Sequence, residues 1–394
     1  MFNVIPEILY KLLSLLLPIF LCVSGSSYAS LDYSAEAAAV REGADYTGLC
    51  EAYEDYFPVG AALNHWEFDN PETVAFIKKN FNMLVPEWQM KQIALNPHAP
   101  GTPCPYPNMI CDDGWHFELM DPYAEFARET GVRLRGHTLV WPVMDCWILW
   151  TDDTHTQLVD KETLFARMET YIKTVMERYG DVIDVWDVVN EPFHYNWFAQ
   201  LKEETDYFKI AGEEFIIKAF EYADKYSDAN DILMVNETFV EGNAAKTSNM
   251  FCCVERWLKQ GVRIDGVGSQ GHMGTVSTLP FDPTFTAVDD LAKRCRKLGI
   301  KLEYTEIDVK VYEIARQRTA EIPEYLQAWQ TNKYQQFFKA LRRNSDVIIG
   351  ATFWGLDDAH SVINYDTPEE TWDWPMLFDK EGLPKQNFFA VCDF

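Results

Sequence analysis

Two glutamates follow short apolar runs rich in β-branched residues: Glu191, after WDVVN (186–190), and Glu306, inside LEYTEID (302–308). Other runs of the same kind end in Glu87 and Lys91, in His137 and Trp141, in Gln270 and His272, and in Trp354; Asn190 directly precedes Glu191. A single glutamate after a strand is ordinarily a helix cap or an ion-pair partner. The alternatives to weigh are a satisfied core histidine for His137 and plain core packing for Trp141 and Trp354. Six strand ends that all carry such groups are harder to explain as caps. Two carboxyl groups on different strands, with His, Asn, Lys and Trp around them, are the equipment for glycoside hydrolysis. One carboxylic acid protonates the leaving oxygen while the other carboxylate attacks the sugar or activates water. Neighbouring charges and hydrogen bonds must then push the two proton affinities apart.

Such residues need a frame that brings positions 115 apart in sequence together. The apolar runs are 59–63, 82–86, 132–140, 182–189, 231–236, 264–269, 300–305 and 347–354. Amphipathic stretches of helical length lie between most of them. Residues 161–179 space Leu164, Met168, Tyr171, Ile172 and Val175 at helical intervals, and residues 323–342, led by Pro323, do the same with Leu326, Trp329, Phe337 and Leu341. Eight buried strands alternating with helices predict an α/β fold closed into a single (β/α)8 TIM barrel, with an open doubly wound sheet as the alternative. In a barrel, functional side chains gather at the C-terminal strand ends, where the residues above fall. Strands four and seven would carry the two glutamates across the axis from one another.

Composition narrows the partner. The chain has 394 residues and a formal net charge of −27, which would repel nucleic acid and anionic membranes. A neutral substrate fits better, and 13 Trp and 19 Tyr supply flat rings for a groove or a core. Residues 12–23 (LLSLLLPIFLCV) are too short to span a membrane and suit the apolar part of a signal peptide. Cleavage is expected after Ala29, giving a secreted protein, extracellular or periplasmic, with residues 30–44 as a segment of uncertain order and 45–394 as the catalytic barrel. Export leaves eight cysteines. Cys104 and Cys111 bracket a Pro-rich loop and form the best local pair, Cys50 and Cys392 could tie the two ends together, and Cys252, Cys253 and Cys295 could equally be free thiols. No metal or cofactor is expected. GVGSQG (266–271) matches a dinucleotide fingerprint in letters only, because Pro280 follows and no helix clearly opens. Asn236-Glu237-Thr238 is a glycosylation sequon, but at a strand end inside a barrel it should not be used.

Beyond these readings, WDVVNEP (186–192), LEYTEID (302–308), RGHTLVW (135–141) and GSQGH (268–272) resemble glycoside hydrolase family 10, the endo-β-1,4-xylanases, with PEWQMK (86–91) and TFWG (352–355) as weaker matches. The resemblance spans roughly residues 45–390 in the family's order. It implies a (β/α)8 barrel and hydrolysis with retention. By that match Glu191 is the general acid/base and Glu306 the nucleophile, Asn190 bonds the sugar 2-OH, and His272 holds Glu306. Lys91, His137, Gln270 and Trp354 would line the subsite under attack, Glu87 would reach the next sugar, and Trp141 would support the floor. The sequence departs from the family at Trp88 (usually Asn), Gln92 (Trp), Pro142 (His), Gly271 (often Ser) and Val362 (Trp). The expected activity is endo-hydrolysis of xylan by a secreted monomer acting on a polysaccharide. The alternatives are a related enzyme acting on another β-glycan or a glycosylated small molecule, and a non-catalytic carbohydrate-binding barrel.

Overall fold

The computed structural model describes residues 31–101, 114–194, 200–274, 285–312, 322–365 and 367–394. The proposed signal peptide and the Cys104–Cys111 pair lie outside these residues. Tyr33–Phe394 form one compact unit. Its strands are β1 (Val59–Leu63), β2 (Met83–Pro86), β3 (Arg133–Gly136), β4 (Ile183–Asn190), β5 (Ile232–Glu237), β6 (Gly266–Ser269), β7 (His272–Gly274), β8 (Lys301–Lys310) and β9 (Ile348–Phe353).

All strand pairings are parallel. β1 to β6 lie side by side in chain order, β6 pairs with β8, β8 with β9, and β9 returns to β1 through Val59 opposite Ala351. Eight strands therefore close into a barrel, and the open-sheet alternative is excluded. Each of the eight expected runs overlaps one of these strands, although β4, β5 and β8 extend beyond the C-terminal ends of their runs. Parallel strands covered on both faces read as continuous apolar runs, which is why the runs were visible. Gly136 at the end of β3 lets the Trp186 indole of β4 lie against the backbone, since a Cβ there would stand 2.4 Å from the ring.

The helix Lys161–Tyr179 has the expected bounds. Asp160 caps it by accepting the Thr163 N–H at 2.8 Å, and Leu164, Met168, Tyr171, Ile172 and Val175 form its buried face. In the helix Glu324–Arg342, Pro323 is the capping residue rather than the first helical one.

β8 departs from expectation by running on to Lys310, because β7 adds a second partner beyond β6, with His272 opposite Asp308. Register shifts between Leu302 and Tyr304 and between Tyr304 and Ile307 allow the long strand to follow both neighbours. Glu306 thus sits within a strand rather than after one.

Within the Tyr33–Phe394 unit the two end regions meet without a disulfide between Cys50 and Cys392. Cys50 and Cys392 are both free thiols, contrary to the suggested pairing. The Cys50 thiol donates to the Lys79 carbonyl at 3.3 Å, and burial pushes the Cys392 thiol up to about 12. The Tyr53 hydroxyl joins the ends instead, donating to Val391 O at 2.7 Å, and the Arg342 guanidinium bonds the same carbonyl at 2.9 Å. Cys252, Cys253 and Cys295 are free as well. The helix Ser34–Arg41 is held to the C-terminal region by the Tyr33 hydroxyl on Asp393 at 2.7 Å and by an Arg41–Asp379 ion pair.

Candidate active site

β4 ends at Asn190, and Glu191 follows in a left-handed backbone conformation, with φ of 51°. Few non-glycine residues adopt it. Here the turn is held by the Glu191 N–H, which donates to Asn236 O on β5 at 2.8 Å. The carboxylate receives Gln270 Nε2 on Oε1 at 2.8 Å and Trp141 Nε1 on Oε2 at 3.4 Å, and Lys202 Nζ stands 3.8 Å from Oε2.

Glu306 is buried. Its Oε1 accepts Asn236 Nδ2 at 2.8 Å and its Oε2 faces His272 Nε2 at 3.2 Å. The other ring nitrogen of His272 lies 2.5 Å from Asp308 Oδ2. Desolvation disfavours the imidazolium, but a carboxylate on each ring nitrogen outweighs it and raises His272 to about 10. Burial alone would likewise favour neutral Glu306. The hydrogen bond from His272 and the attraction of His137, His272 and Lys91 reverse this and hold Glu306 at about 2. The group is therefore an anion poised in a largely dry place.

Lys91 Nζ sits over three indoles, 4.9 Å from the Trp141 centroid, 5.3 Å from Trp88 and 5.6 Å from Trp354. Burial lowers its proton affinity, against the pull of Glu306, Glu87 and Glu191. His137 is buried, as the core reading supposed, with Nδ1 on Asp187 Oδ2 at 2.8 Å, and its ring meets Trp354 edge-on at 5.3 Å. It is also one of the groups whose attraction lowers the proton affinity of Glu306. Glu87 accepts the Tyr365 hydroxyl at 3.0 Å and Asn64 Nδ2 at 3.4 Å on Oε2, while burial raises its proton affinity. The residues named from sequence thus gather at one end of the barrel.

The structure adds side chains that the sequence reading missed. Asn236, seen there only as a sequon, is fully buried and has no room for a glycan. Its Nδ2 also donates to Asn190 Oδ1 at 2.9 Å, and its Oδ1 accepts from Thr305 at 2.7 Å. Gly268 makes room for it, since a Cβ there would lie 2.4 Å from Asn236 Oδ1. Asn236 pairs in register with Asn190, so the strand-end signal that picked out Asn190 was present for Asn236 too. Asp308, the last residue of LEYTEID, was given no role, and no local pattern marks Lys202 or Tyr365. Behind Asn236 lies a buried ion pair, Lys246 Nζ to Glu237 Oε1 at 2.8 Å.

Among the departures, Trp88 and Val362 are exposed, at 40 % and 44 %. Gln92 is buried and accepts the Tyr207 hydroxyl at 3.0 Å, and Gly271 occupies a turn with φ of 78°. Among the described residues, no group of three or more His, Cys, Asp or Glu side chains could hold a metal ion.

The chain is similar to known proteins. The chain is 32 % identical over 355 residues to a beta-1,4-xylanase of Dictyoglomus thermophilum, covering 90 % of this chain and 92 % of that one. It is 31 % identical over 385 residues to an endo-1,4-beta-xylanase/feruloyl esterase of Xylanibacter ruminicola, covering 93 % of this chain but only 49 % of the relative, so it spans about half that protein's length. A solved structure of a mutant in complex with xylotriose is similar with a TM-score of 0.77 at 30 % identity, over 89 % of this chain and all of that one. The model of glycosyl hydrolase family 10 matches residues 48–394, and the chain belongs to that family.

Proposed function

We propose that this protein is a retaining endo-β-1,4-xylanase that cleaves internal bonds of xylan, with Glu306 as nucleophile and Glu191 as general acid/base. The observation that carries the reading is the contrast between the two carboxyl groups. Glu306 is buried yet held ionised at about 2, while Glu191, on the facing strand end, is partly open to solvent and gripped by Gln270 and Trp141. In the first step a Glu306 oxygen attacks the anomeric carbon, the glycosidic C–O bond breaks, and Glu191 gives its proton to the departing oxygen. In the second step Glu191 takes a proton from water, whose oxygen attacks the anomeric carbon and releases the Glu306 carboxylate.

In this reading Asn190 serves the 2-OH of the reacting sugar. Lys91, His137, Gln270 and Trp354 surround that sugar, Trp141 steadies Glu191, His272 holds Glu306, and Glu87 meets the next sugar. The names of the relatives and the xylotriose complex support a xylan chain as substrate. Export through residues 1–29 is part of the proposal, and places the enzyme where a polymer can reach it. Xylan is incubated with the protein while reducing ends and the first-formed anomer are followed by proton NMR. The β-anomer appearing first supports the reading; the α-anomer overturns retention, and absence of new reducing ends overturns the activity.

A further inference from the structure

Glu87 accepts both of its hydrogen bonds on one oxygen. Oε2 receives the Tyr365 hydroxyl at 3.0 Å and Asn64 Nδ2 at 3.4 Å, whereas Oε1 accepts none among the described residues. The donors are themselves fixed. Asn64 follows β1 and is buried, and its Oδ1 accepts Gln89 Nε2 at 2.9 Å, which turns the amide nitrogen toward Glu87. Gln89 Oε1 in turn accepts the Tyr123 hydroxyl at 2.8 Å. Asn64 Nδ2 also donates to the Tyr365 hydroxyl oxygen at 3.2 Å, so Asn64, Tyr365 and Glu87 close a ring of three hydrogen bonds. Tyr365 reaches this ring from the loop after β9. Its neighbour Asn364 is buried and staples that loop, with Nδ2 donating to Asp358 O at 2.7 Å and to Asp373 O at 2.9 Å, and Oδ1 accepting the Asp373 N–H at 2.8 Å.

The contact does more for Glu87 than for the core, because Tyr365 is itself 38 % exposed. A carboxylate free at both oxygens turns about its last bond, whereas one tied at Oε2 by two donors presents Oε1 in one direction. We propose that Tyr365 is a positioning residue for the second sugar on the non-reducing side: with Asn64 it holds Oε2 of Glu87, so that Oε1 accepts a hydroxyl of that sugar. This rests on the reading of Glu87 as the group that meets the sugar next to the reacting one. The charges around Glu87 agree with it. Burial raises its proton affinity and Glu67 adds to the rise, while Tyr365, Lys91 and Asn64 oppose both, Tyr365 foremost among the three. Glu67 is in turn 3.2 Å from His360 Nε2, and burial keeps the nearby Tyr123 hydroxyl neutral. A sugar hydroxyl donates more strongly to an ionised acceptor, so the same hydrogen bond that aims Glu87 also favours its binding form.

The test compares wild type, Tyr365→Phe, Glu87→Gln and the double variant on 2,4-dinitrophenyl β-xylobioside and β-xyloside. The xyloside fills only the subsite under attack, so the ratio of kcat/KM on the xylobioside to that on the xyloside reports the hold on the second sugar. Groups that serve both substrates alike cancel in it. Tyr365→Phe should lower this ratio about tenfold at pH 7. The pH below which the ratio declines should also be higher than in wild type, because Glu87 has lost a donor. A Phe that merely loosened the loop would not move that pH. Glu87→Gln should lower the ratio and abolish its decline with pH, and adding Tyr365→Phe to it should change the ratio little further. An unchanged ratio in Tyr365→Phe, an equal fall on both substrates, or full additivity in the double variant overturns the positioning role. A wild type with no preference for the xylobioside overturns the reading of Glu87, and one that cleaves neither substrate overturns the xylanase reading; this inference falls with either.

Discussion

The Asn236 side-chain amide donates to Glu306 Oε1 at 2.8 Å, and the main-chain oxygen of the same residue receives the Glu191 N–H at the same distance. One residue on β5 therefore fixes both carboxyl-bearing segments, although neither lies near it in sequence. Asn236→Ala removes a hydrogen bond to a buried anion, worth about 1.5–3 kcal/mol, and leaves the Asn190 oxygen without that donor. The expected loss in kcat on xylan is about 10- to 100-fold. Asn236→Asp should be worse, because it sets a second carboxyl group against Glu306. Steady-state kinetics on both variants checks this, with circular dichroism to establish that they fold.

Azide distinguishes the roles of the two glutamates. Glu306→Ala removes the atom that would bond to the sugar, so azide can attack directly from the opposite face and give an inverted glycosyl azide. Glu191→Ala leaves the covalent intermediate accessible, so azide should give the retained product, and the defect should be smallest on substrates with good leaving groups. Both substitutions should lower activity on xylan by at least about a thousandfold. The reverse pattern of azide products would exchange the assignments.

The His272–Glu306 contact predicts the acid side of the pH profile. The imidazolium favours ionised Glu306, which as the proposed nucleophile would have to be an anion to attack. In His272→Asn that cation is gone, Glu306 binds a proton more readily, and the acid limb of kcat/KM should move up by about one to two pH units. Stability changes with the opposite sense of pH. His272 is raised to about 10 in the fold, so its proton is kept by the native state and released by the unfolded chain above about pH 6.5. That contribution is complete below pH 6.5 and disappears as pH rises to about 10. His360, raised to about 10 by Asp357 and Glu67 against desolvation, acts in the same window. Urea denaturation between pH 6 and 10 should show stability falling with pH in the wild type, and falling less steeply in His272→Asn.

Much of this was legible in the sequence, for definite reasons. Parallel strands buried on both faces leave continuous apolar runs, and the helix Lys161–Tyr179 declared itself by the spacing of its buried face. The two glutamates stood out because six apolar runs together ended in polar or ionisable groups, more than helix capping explains. What stayed hidden depends on contacts distant in sequence. Asn236 looked like a sequon because its partners, Asn190 and Glu306, lie 46 and 70 positions away. Tyr365 reaches Glu87 across 278 positions. The ends of the chain invited a Cys50–Cys392 bond because both sit near termini, but closeness in the fold was provided by Tyr53 and Arg342 instead.

The Lys246–Glu237 pair offers a test of stability away from the reacting atoms. Both side chains are fully buried, and Glu237 also accepts the Phe193 N–H at 2.9 Å. Lys246→Met keeps the apolar stem but removes the cation hydrogen-bonded to the buried Glu237 carboxylate and leaves only the more distant attraction of Lys202, at a cost of about 3–5 kcal/mol. Burial already pushes Glu237 upward, and losing Lys246 must push it further, so the variant can neutralise Glu237 by binding a proton as pH falls. The destabilisation measured by urea unfolding should therefore be smaller at pH 5 than at pH 8. A penalty independent of pH would mean that Glu237 stays ionised without Lys246.

Trp88 and Val362 bear on which sugars fit. Trp88 lies beside Lys91, with its ring 5.3 Å from Nζ and 40 % exposed, and it stands where the family more often has Asn. An Asn offers a donor and an acceptor to sugar hydroxyls, whereas an indole offers one N–H and a flat apolar face. Val362 is 44 % exposed, and by the resemblance it stands where the family usually has a second Trp over the reacting sugar. Room left by the smaller side chain would be wasted on xylose, which has only a ring CH2 at C5, and useful for a hexose or a decorated unit. Discrimination between xylose- and glucose-based substrates should therefore be weaker than in relatives with Asn and Trp at these positions. Val362→Trp should restore it by lowering kcat/KM on an aryl cellobioside more than on the matched xylobioside. Trp88→Asn should tighten xylo-oligosaccharide binding by about 1 kcal/mol, the value of one hydrogen bond. Kinetics on the matched aryl glycosides, with calorimetry for binding, reads both effects. A wild-type xylobioside preference already as strong as in those relatives would mean that other side chains fill the space left by Val362.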